Sequence, residues 1–363
     1  MRSTVVLTLC CVLSAAVVRA DTFEELATRA AAALDAEKLP EALDLYRQAL
    51  QVKPNWEEGW WFVGIISYNT QQYAEGERAY AKLVEINPRS GPGWAFMGLC
   101  EFETGAYENS LQHIERGLSL SGGGPQDAQQ VLRFHEAMLL TRERKWDPAR
   151  RVYRTFAQKG VQDPALIAGI GVNALELPML PSEVPPDRQE LVLTAGNAAL
   201  CWMTGDKAKT DAAFSVLLNR FPAGTGVHYL YATYLLSSNQ TEAGTAELKR
   251  ELELHPDNPS ADGTLALVLA VADKVSEALP YARKAAATPQ PDARMLYVYG
   301  LVLDKTGDMQ QAIDRLEASE KLDADNPDVH IVLAGAYSKV GRDGDARRER
   351  RAAISLARGN AHP

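Results

Sequence analysis

Apolar residues recur along most of the chain at the three-and-four spacing of amphipathic helices, in segments separated by short polar turns. The clearest case is Pro54 to Pro88, reading PNWEEGWWFVGIISYNTQQYAEGERAYAKLVEINP, which holds one segment ending near Tyr68 and another starting near Tyr73. Much of it then recurs, because Trp60, Gly64 and Pro54 return 34 residues later as Trp94, Gly98 and Pro88. A helix-turn-helix repeated at a fixed period of this length buries its apolar face only by stacking on its neighbours. The pattern therefore predicts an array of helix pairs.

With the 34-residue period as a ruler, units start near Phe23, Glu57, Gly91, Gln130, Leu191, Thr225, Pro259, Ala293 and Pro327. The eighth residue of each is Ala30, Gly64, Gly98, Ala137, Ala198, Ala232, Ala266, Gly300 and Ala334, all Ala or Gly. The twentieth is also small throughout: Ala42, Gly76, Ser110, Ala149, Thr210, Gly244, Ala278, Ala312 and Ala346. Small residues at both places let two antiparallel helices approach closely. The twenty-fourth is mostly bulky (Tyr46, Tyr80, Ile114, Tyr153, Phe214, Leu248, Leu316), with Ala282 and Arg350 as departures. Trp60 is read as a packing residue.

These residues resemble the tetratricopeptide repeat family, whose pattern is a large residue, Gly or Ala, Ala, an aromatic, Ala and Pro at set offsets. The closing proline is present as Pro54, Pro88, Pro222 and Pro256 and absent at Gly122, Val161, Gln290 and Ala324. A Gly-Asp turn appears as Gly205-Asp206 and Gly307-Asp308, and more weakly as Gly341-Arg342. The resemblance covers nearly all of the chain beyond its first twenty residues. It implies an all-α fold, a right-handed α-solenoid of about nine antiparallel helix-turn-helix repeats.

The resemblance also implies a concave groove lined by first-helix positions. On this chain those are Trp61, Phe62, Ile65, Tyr68 and Asn69, then Phe96, Leu99, Phe102 and Glu103, then Phe134, His135, Met138 and Arg142. Further on they are Trp202 and Met203, Tyr229 and Leu230, and Tyr297, Asp304 and Lys305. Members that grip acidic C-terminal tails use a Lys/Asn/Arg clamp here, but Ala27, Ala31 and Ile65 occupy those places, which rejects that mode. What remains is an aromatic and aliphatic surface with few charges, able to anchor an amphipathic helix or an extended segment. Shielding of the same side chains by other parts of the molecule is the competing reading.

The ruler slips between Pro164 and Asp187, where PALIAGIGVNALELPMLPSEVPP has a helical first half and a proline-rich second half. It reads as an extra helix plus a loop, or equally as a divergent half-repeat. The expected organisation is a signal peptide at 1–20, an N-terminal lobe at 21–163, the insertion at 164–186, a C-terminal lobe at 187–358 and a tail at 359–363. Ser121 to Pro125 is a shorter break.

The first twenty residues carry Arg2, an apolar run from Val5 to Val18 and then Val18-Arg19-Ala20, the layout of a secretory signal cleaved after Ala20. The expectation is an exported protein, periplasmic or secreted. Removing Arg2 and Arg19 takes the 38 Lys and Arg to 36, against 47 Asp and Glu, which argues against nucleic acid as a partner. The arginine-rich last helix reads as a solvated end. Cys100 and Cys201 remain after cleavage, far apart, and read as buried small hydrophobes.

Signs of catalysis are thin. The six histidines (His113, His135, His228, His255, His330, His362) show no metal-ligand spacing, and His135-Glu136 lacks a second histidine. No G-x-S-x-G occurs, and the glycines at 122–124 are not followed by Lys-Ser/Thr. The expectation is no enzyme and no cofactor, but a scaffold with protein or peptide partners. Two alternatives stay open: a structural subunit of a larger envelope or secretion assembly, and an envelope factor with a ligand site at 164–186.

Overall fold

A computed structural model describes residues 21–120, 126–161 and 163–359. The signal sequence, the Ser121–Pro125 break and His362 lie outside the described residues. Every regular element among the described residues is helical, nineteen α-helices and one 3-10 turn, so the all-α class holds.

The chain forms two compact units, Met1–Leu132 and Arg133–Pro363. In the first, α1 (Phe23–Asp35) pairs with α2 (Leu39–Val52), α3 (Glu57–Asn69) with α4 (Tyr73–Ile86), and α5 (Gly91–Thr104) with α6 (Tyr107–Leu120). Each pair also packs on the next through α2 against α3 and α4 against α5. Helix α7 (Gln126–Arg142) spans the division.

The second unit continues with α8 (Trp146–Gln158), α9 (Pro164–Ala174), the 3-10 turn Pro181–Glu183, α10 (Pro186–Thr204) and α11 (Lys207–Arg220). Four pairs follow: α12 (Val227–Ser237) with α13 (Thr241–Leu254), α14 (Pro259–Val271) with α15 (Val275–Ala286), α16 (Ala293–Thr306) with α17 (Met309–Leu322), and α18 (Pro327–Lys339) with α19 (Asp343–Gly359). The division falls at Leu132/Arg133 rather than at the insertion. Helix α9 is no separator of lobes, because it packs on α8 and α10 inside the second unit.

The small-residue positions do what the period implies. A Cβ placed on Gly64 would meet the Tyr80 ring at 2.6 Å, and one on Gly98 would meet Ile114 at 2.8 Å and the Ser110 carbonyl at 2.9 Å. On Gly300 it would meet Leu316 at 2.6 Å. The bulky twenty-fourth residue thus fills the hollow left by the small eighth, and Tyr46, Tyr80, Ile114, Tyr153, Phe214, Leu248 and Leu316 are all fully buried. Burial of each such side chain contributes ~1.5–3 kcal/mol.

The turn between paired helices repeats as well. Glu37, Gln71, Gly105, Arg144, Gly205, Asn239, Asp273, Gly307 and Gly341 all have positive φ, between 57° and 90°. Four are glycines, for which this conformation is free of Cβ strain. The other five hold it with a side chain, so glycine marks only part of the set in the sequence.

Candidate functional site

The predicted groove residues of the first unit come together on α3 and α5. Trp61 meets Phe96 edge to face at 5.4 Å between ring centroids, Phe96 meets Tyr68 at 6.1 Å, and Tyr80 lies behind Trp61 and Phe96. Trp61, Tyr68 and Phe96 are half-buried and Asn69 is exposed at the end of α3. Phe62 stacks on Tyr46 at 5.0 Å and, with Ile65, packs on the α1–α2 core. Phe102 is half-buried against Tyr107. Aromatic pairs in such geometry add ~0.5–1.5 kcal/mol beyond area burial, which fixes the rings of this surface.

In the second unit the same positions scatter. Phe134 packs on Tyr153 and Phe156 with His135 beside it, Trp202 meets Tyr234 edge-on, and Tyr297 lies half-buried between two cores. Tyr229, expected to face a groove, does not. It is 2% exposed, and its hydroxyl donates to Glu176 of the insertion at 2.9 Å. Leu99, Met138 and Leu230 are likewise buried, as core rather than groove residues. The face of α12 at Tyr229 is covered by the segment that follows α9.

That covering is ionic. Glu176 has φ 50° just past the end of α9, a conformation that costs a side-chain-bearing residue roughly 1–2 kcal/mol. Its carboxylate accepts from Tyr229 Oη, from Ser260 Oγ and from Arg294 Nη2 at 3.1 Å. These donors sit in the first turns of α12, α14 and α16, where the helix dipoles favour an anion. Desolvation opposes the charge on Arg294, but the surrounding Tyr229, Glu176 and Asp292 outweigh it and hold its pKa well above the usual value. Burial pushes the Tyr229 hydroxyl upward. Nearby, Glu251 is fully buried and accepts from the Gly226 and Tyr229 backbone N–H groups and from Asn258 Nδ2. Around this network lies a cavity of about 530 Å³, lined by the 175–178 segment and by the turns leading into α8, α12, α14 and α16.

Two histidines that had no role in the sequence acquire one. Trp60 and Trp94 donate Nε1–H to the carbonyls of Pro54 and Pro88, at 2.7 and 3.0 Å. His228 and His330 stand at the same repeat position and reach the carbonyls of Pro222 and Ala324 through Nε2, both at 2.9 Å. Their Nδ1 atoms face Glu247 at 2.6 Å and Glu349 at 2.7 Å. The ring is thus a clasp on the residue that closes the preceding repeat. The repeat register, applied to histidines as well as tryptophans, is the signal that finds them.

Around His330 the clasp gathers charge. Glu320, His330 and Glu349 bring one nitrogen and two carboxylate oxygens within 4.8 Å of one another, a donor set that a divalent transition metal accepts. With a proton on each ring nitrogen, His330 donates to Glu349 and to the Ala324 carbonyl and is itself the cation between the carboxylates. Desolvation opposes that charge, but the bonds to Ala324 and Glu349 outweigh it and raise the His330 pKa. Of the cysteines, Cys100 is buried and its thiol is pushed up to about 12, while Cys201 is only half-buried, contrary to expectation. A thiol so hard to ionise is a poor nucleophile. No helix among the described residues is long and apolar enough to cross a membrane.

Comparison with known proteins bears on the fold. The family model that matches is described as tetratricopeptide repeat, over residues 28–93, 229–293 and 264–327. Among solved structures, MamA from Desulfovibrio magneticus RS-1 is 18% identical, aligning 47% of this chain with 96% of its own at a TM-score of 0.40. The APC/C hetero-tetramer Cut9-Hcn1 is 13% identical, aligning 93% of this chain with 80% of that one, also at 0.40. MamA AMB-1 is 22% identical over 44% of this chain and 94% of its own, at 0.37. No curated protein matches the chain. Residues 28–93, 229–293 and 264–327 of this all-helical chain are tetratricopeptide repeats.

Proposed function

We propose that the protein is a non-catalytic, exported scaffold that binds a protein or peptide partner on the α3–α5 face of its first unit. The observation that carries this reading is the run of half-buried aromatics Trp61, Phe96 and Tyr68, which ends in exposed Asn69. In the second unit the corresponding Tyr229 is covered by the chain's own Glu176, which leaves the first unit as the surface for an external segment. Rigid aromatics anchor a partner at low entropic cost, and burial of their area gives ~25 cal/mol per Å². Phe62, stacked on Tyr46, serves the fold more than the partner.

The test is site-specific photocrosslinking in the producing cell. A photoreactive phenylalanine analogue at Asn69 is expected to give discrete adducts, and the same analogue at exposed Lys82 on α4 is not. Equal labelling from both positions, or none from Asn69, rejects the reading. Export is checked on the same material, because the mature protein from the envelope or the medium should begin at Asp21.

A further inference from the structure

The end of the second unit holds a group of side chains that has no part in the α3–α5 face and does not depend on it. Glu320 lies on α17, His330 on α18 and Glu349 on α19, so three successive helices each supply one donor atom. His330 Nδ1 stands 2.7 Å from Glu349 Oε2 and 3.8 Å from Glu320 Oε1. His330 and Glu349 are buried, while the Glu320 side chain is 30% exposed and open to solvent. No ligand motif marks them in the sequence, because the donors meet only across helices.

The other ring nitrogen fixes the chemistry. Nε2 lies 2.9 Å from the Ala324 carbonyl, which can only accept, so Nε2 carries a hydrogen. In the neutral ring the Nδ1 lone pair then faces two carboxylates, and a cation has to stand between them. A proton on Nδ1 serves Glu349 alone, since Glu320 lies beyond hydrogen-bond distance. Glu320 accepts no hydrogen bond among the described residues. The repeat itself supplies the control. His228 makes the same two bonds, to Glu247 and the Pro222 carbonyl, and a proton completes them. The register place of Glu320 is there held by Leu218, and it is apolar in every unit but the one that carries Glu320. A clasp on the preceding repeat therefore needs no third donor, yet His330 has one.

We propose that Glu320, His330 and Glu349 bind a divalent transition-metal ion of the zinc type, which staples α17, α18 and α19 together. Nδ1 supplies a lone pair, Glu349 Oε2 and Glu320 Oε1 supply two oxygens, and water completes the shell on the exposed side of Glu320. Arg348 Nε donates to Glu349 Oε1 at 2.8 Å and Ala324 accepts from Nε2, so outer hydrogen bonds orient both buried ligands. Two donors at about 2.0–2.2 Å from one ion are at most about 4.4 Å apart. The three atoms lie within 4.8 Å of one another, so a small swing of Glu320 closes the set. Imidazole with carboxylate suits zinc or cobalt better than magnesium or calcium, which take shells of oxygen. The ion and the proton compete for Nδ1, so the titration of His330 belongs to the metal-free chain.

The test uses the tag-free mature chain, stripped with chelator and titrated with Zn(II), Co(II) or Mg(II). Zn(II) is expected to bind as a single ion per chain and to raise the melting temperature. Co(II) should develop visible d–d absorption that Zn(II) abolishes, and Mg(II) should leave the melting temperature unchanged. Glu320→Leu installs the residue that the register places beside His228 and keeps the His330–Glu349 bond, so the helical spectrum should not change. Zn(II) affinity should fall by about tenfold or more, since even an outer partner of a ligand is worth that much. Glu320→Gln should weaken binding in the same direction. No binding at micromolar Zn(II), an equal response to Mg(II), or an affinity unchanged in both variants, which would mean an adventitious ion only, each overturns the proposal. Should Glu320→Leu fail to fold, Glu320→Gln decides.

Discussion

At the scale of single residues, His330 links pH to stability. It faces Glu349 from α19, which is itself paired with Arg348, together with Glu320 from α17 and the Ala324 carbonyl. Its folded pKa is raised above the usual 6.5, so its contribution is complete below the unfolded pKa and is lost as pH rises through the folded value. Burial and then Glu349 raise the Glu320 carboxyl, which acts in the same direction from a more acid starting point. The melting temperature of the second unit is expected to fall as the pH rises above about 6.5, by roughly 2–4 °C per kcal/mol lost in a unit of this size. His330→Gln should melt lower at pH 6 and show a flatter profile over that range. A second residue-scale prediction concerns the turns. Gln71 has φ 60° with an exposed side chain. Gln71→Gly removes a strain of roughly 1–2 kcal/mol at an entropic cost of about 0.5–1, so thermal melting should show a net gain of up to ~1.5 kcal/mol. Legibility at this scale was uneven. Gly64 and Tyr80 declare their contact through the period, and Trp60 its packing role. His228 and His330 carry no such mark, because histidine replaces tryptophan at their position, though the ring makes the same bond to the equivalent carbonyl.

At the scale of elements, the insertion is where the sequence said least and the structure adds most. Composition showed a helical half and a proline-rich half but could not show where either packs. The reason is range: Glu176 bonds to residues 53, 84 and 118 positions further on, and an isolated glutamate outside the repeat period leaves no pattern. Tyr229 was misplaced for the same reason, since the period gives a side chain's direction but not what covers it. What holds α9 in place is close backbone contact with α10. A Cβ on Gly171 would lie 2.0 Å from the Val192 carbonyl oxygen, and one on Gly196 would lie 2.1 Å from that of Ile167. No rotamer change relieves a clash with backbone, so the helices must separate. Gly171→Ala is therefore expected to destabilise at or above the ~1–3 kcal/mol typical of overpacking. It should also loosen the Glu176 contacts to the first turns of α12, α14 and α16, which hydrogen exchange across those turns would report. Unchanged melting would mean that α9 and α10 are not in close contact.

For the whole molecule, the consequence of stacked pairs is that each helix is stabilised mainly by its neighbours. The clusters reflect this: Tyr80, Leu83 and Cys100 form one group in the first unit, while Leu265, Ala282 and Val302 belong to another in the second. A defect introduced into one unit should then stay there, because sites without shared partners contribute nearly additively. Gly64→Leu tests this directly. The new side chain must displace the Tyr80 ring, which would lie 2.6 Å from even a single added carbon, and the expected loss is ~1–3 kcal/mol. Hydrogen exchange followed by mass spectrometry should show faster exchange across α3, α4 and α5, with α12 to α19 exchanging as in the wild type. Loss of protection in both units would mean that the chain opens as one cooperative block. Unchanged exchange in α3 and α4 would mean that the eighth position does not set the spacing of the helix pair.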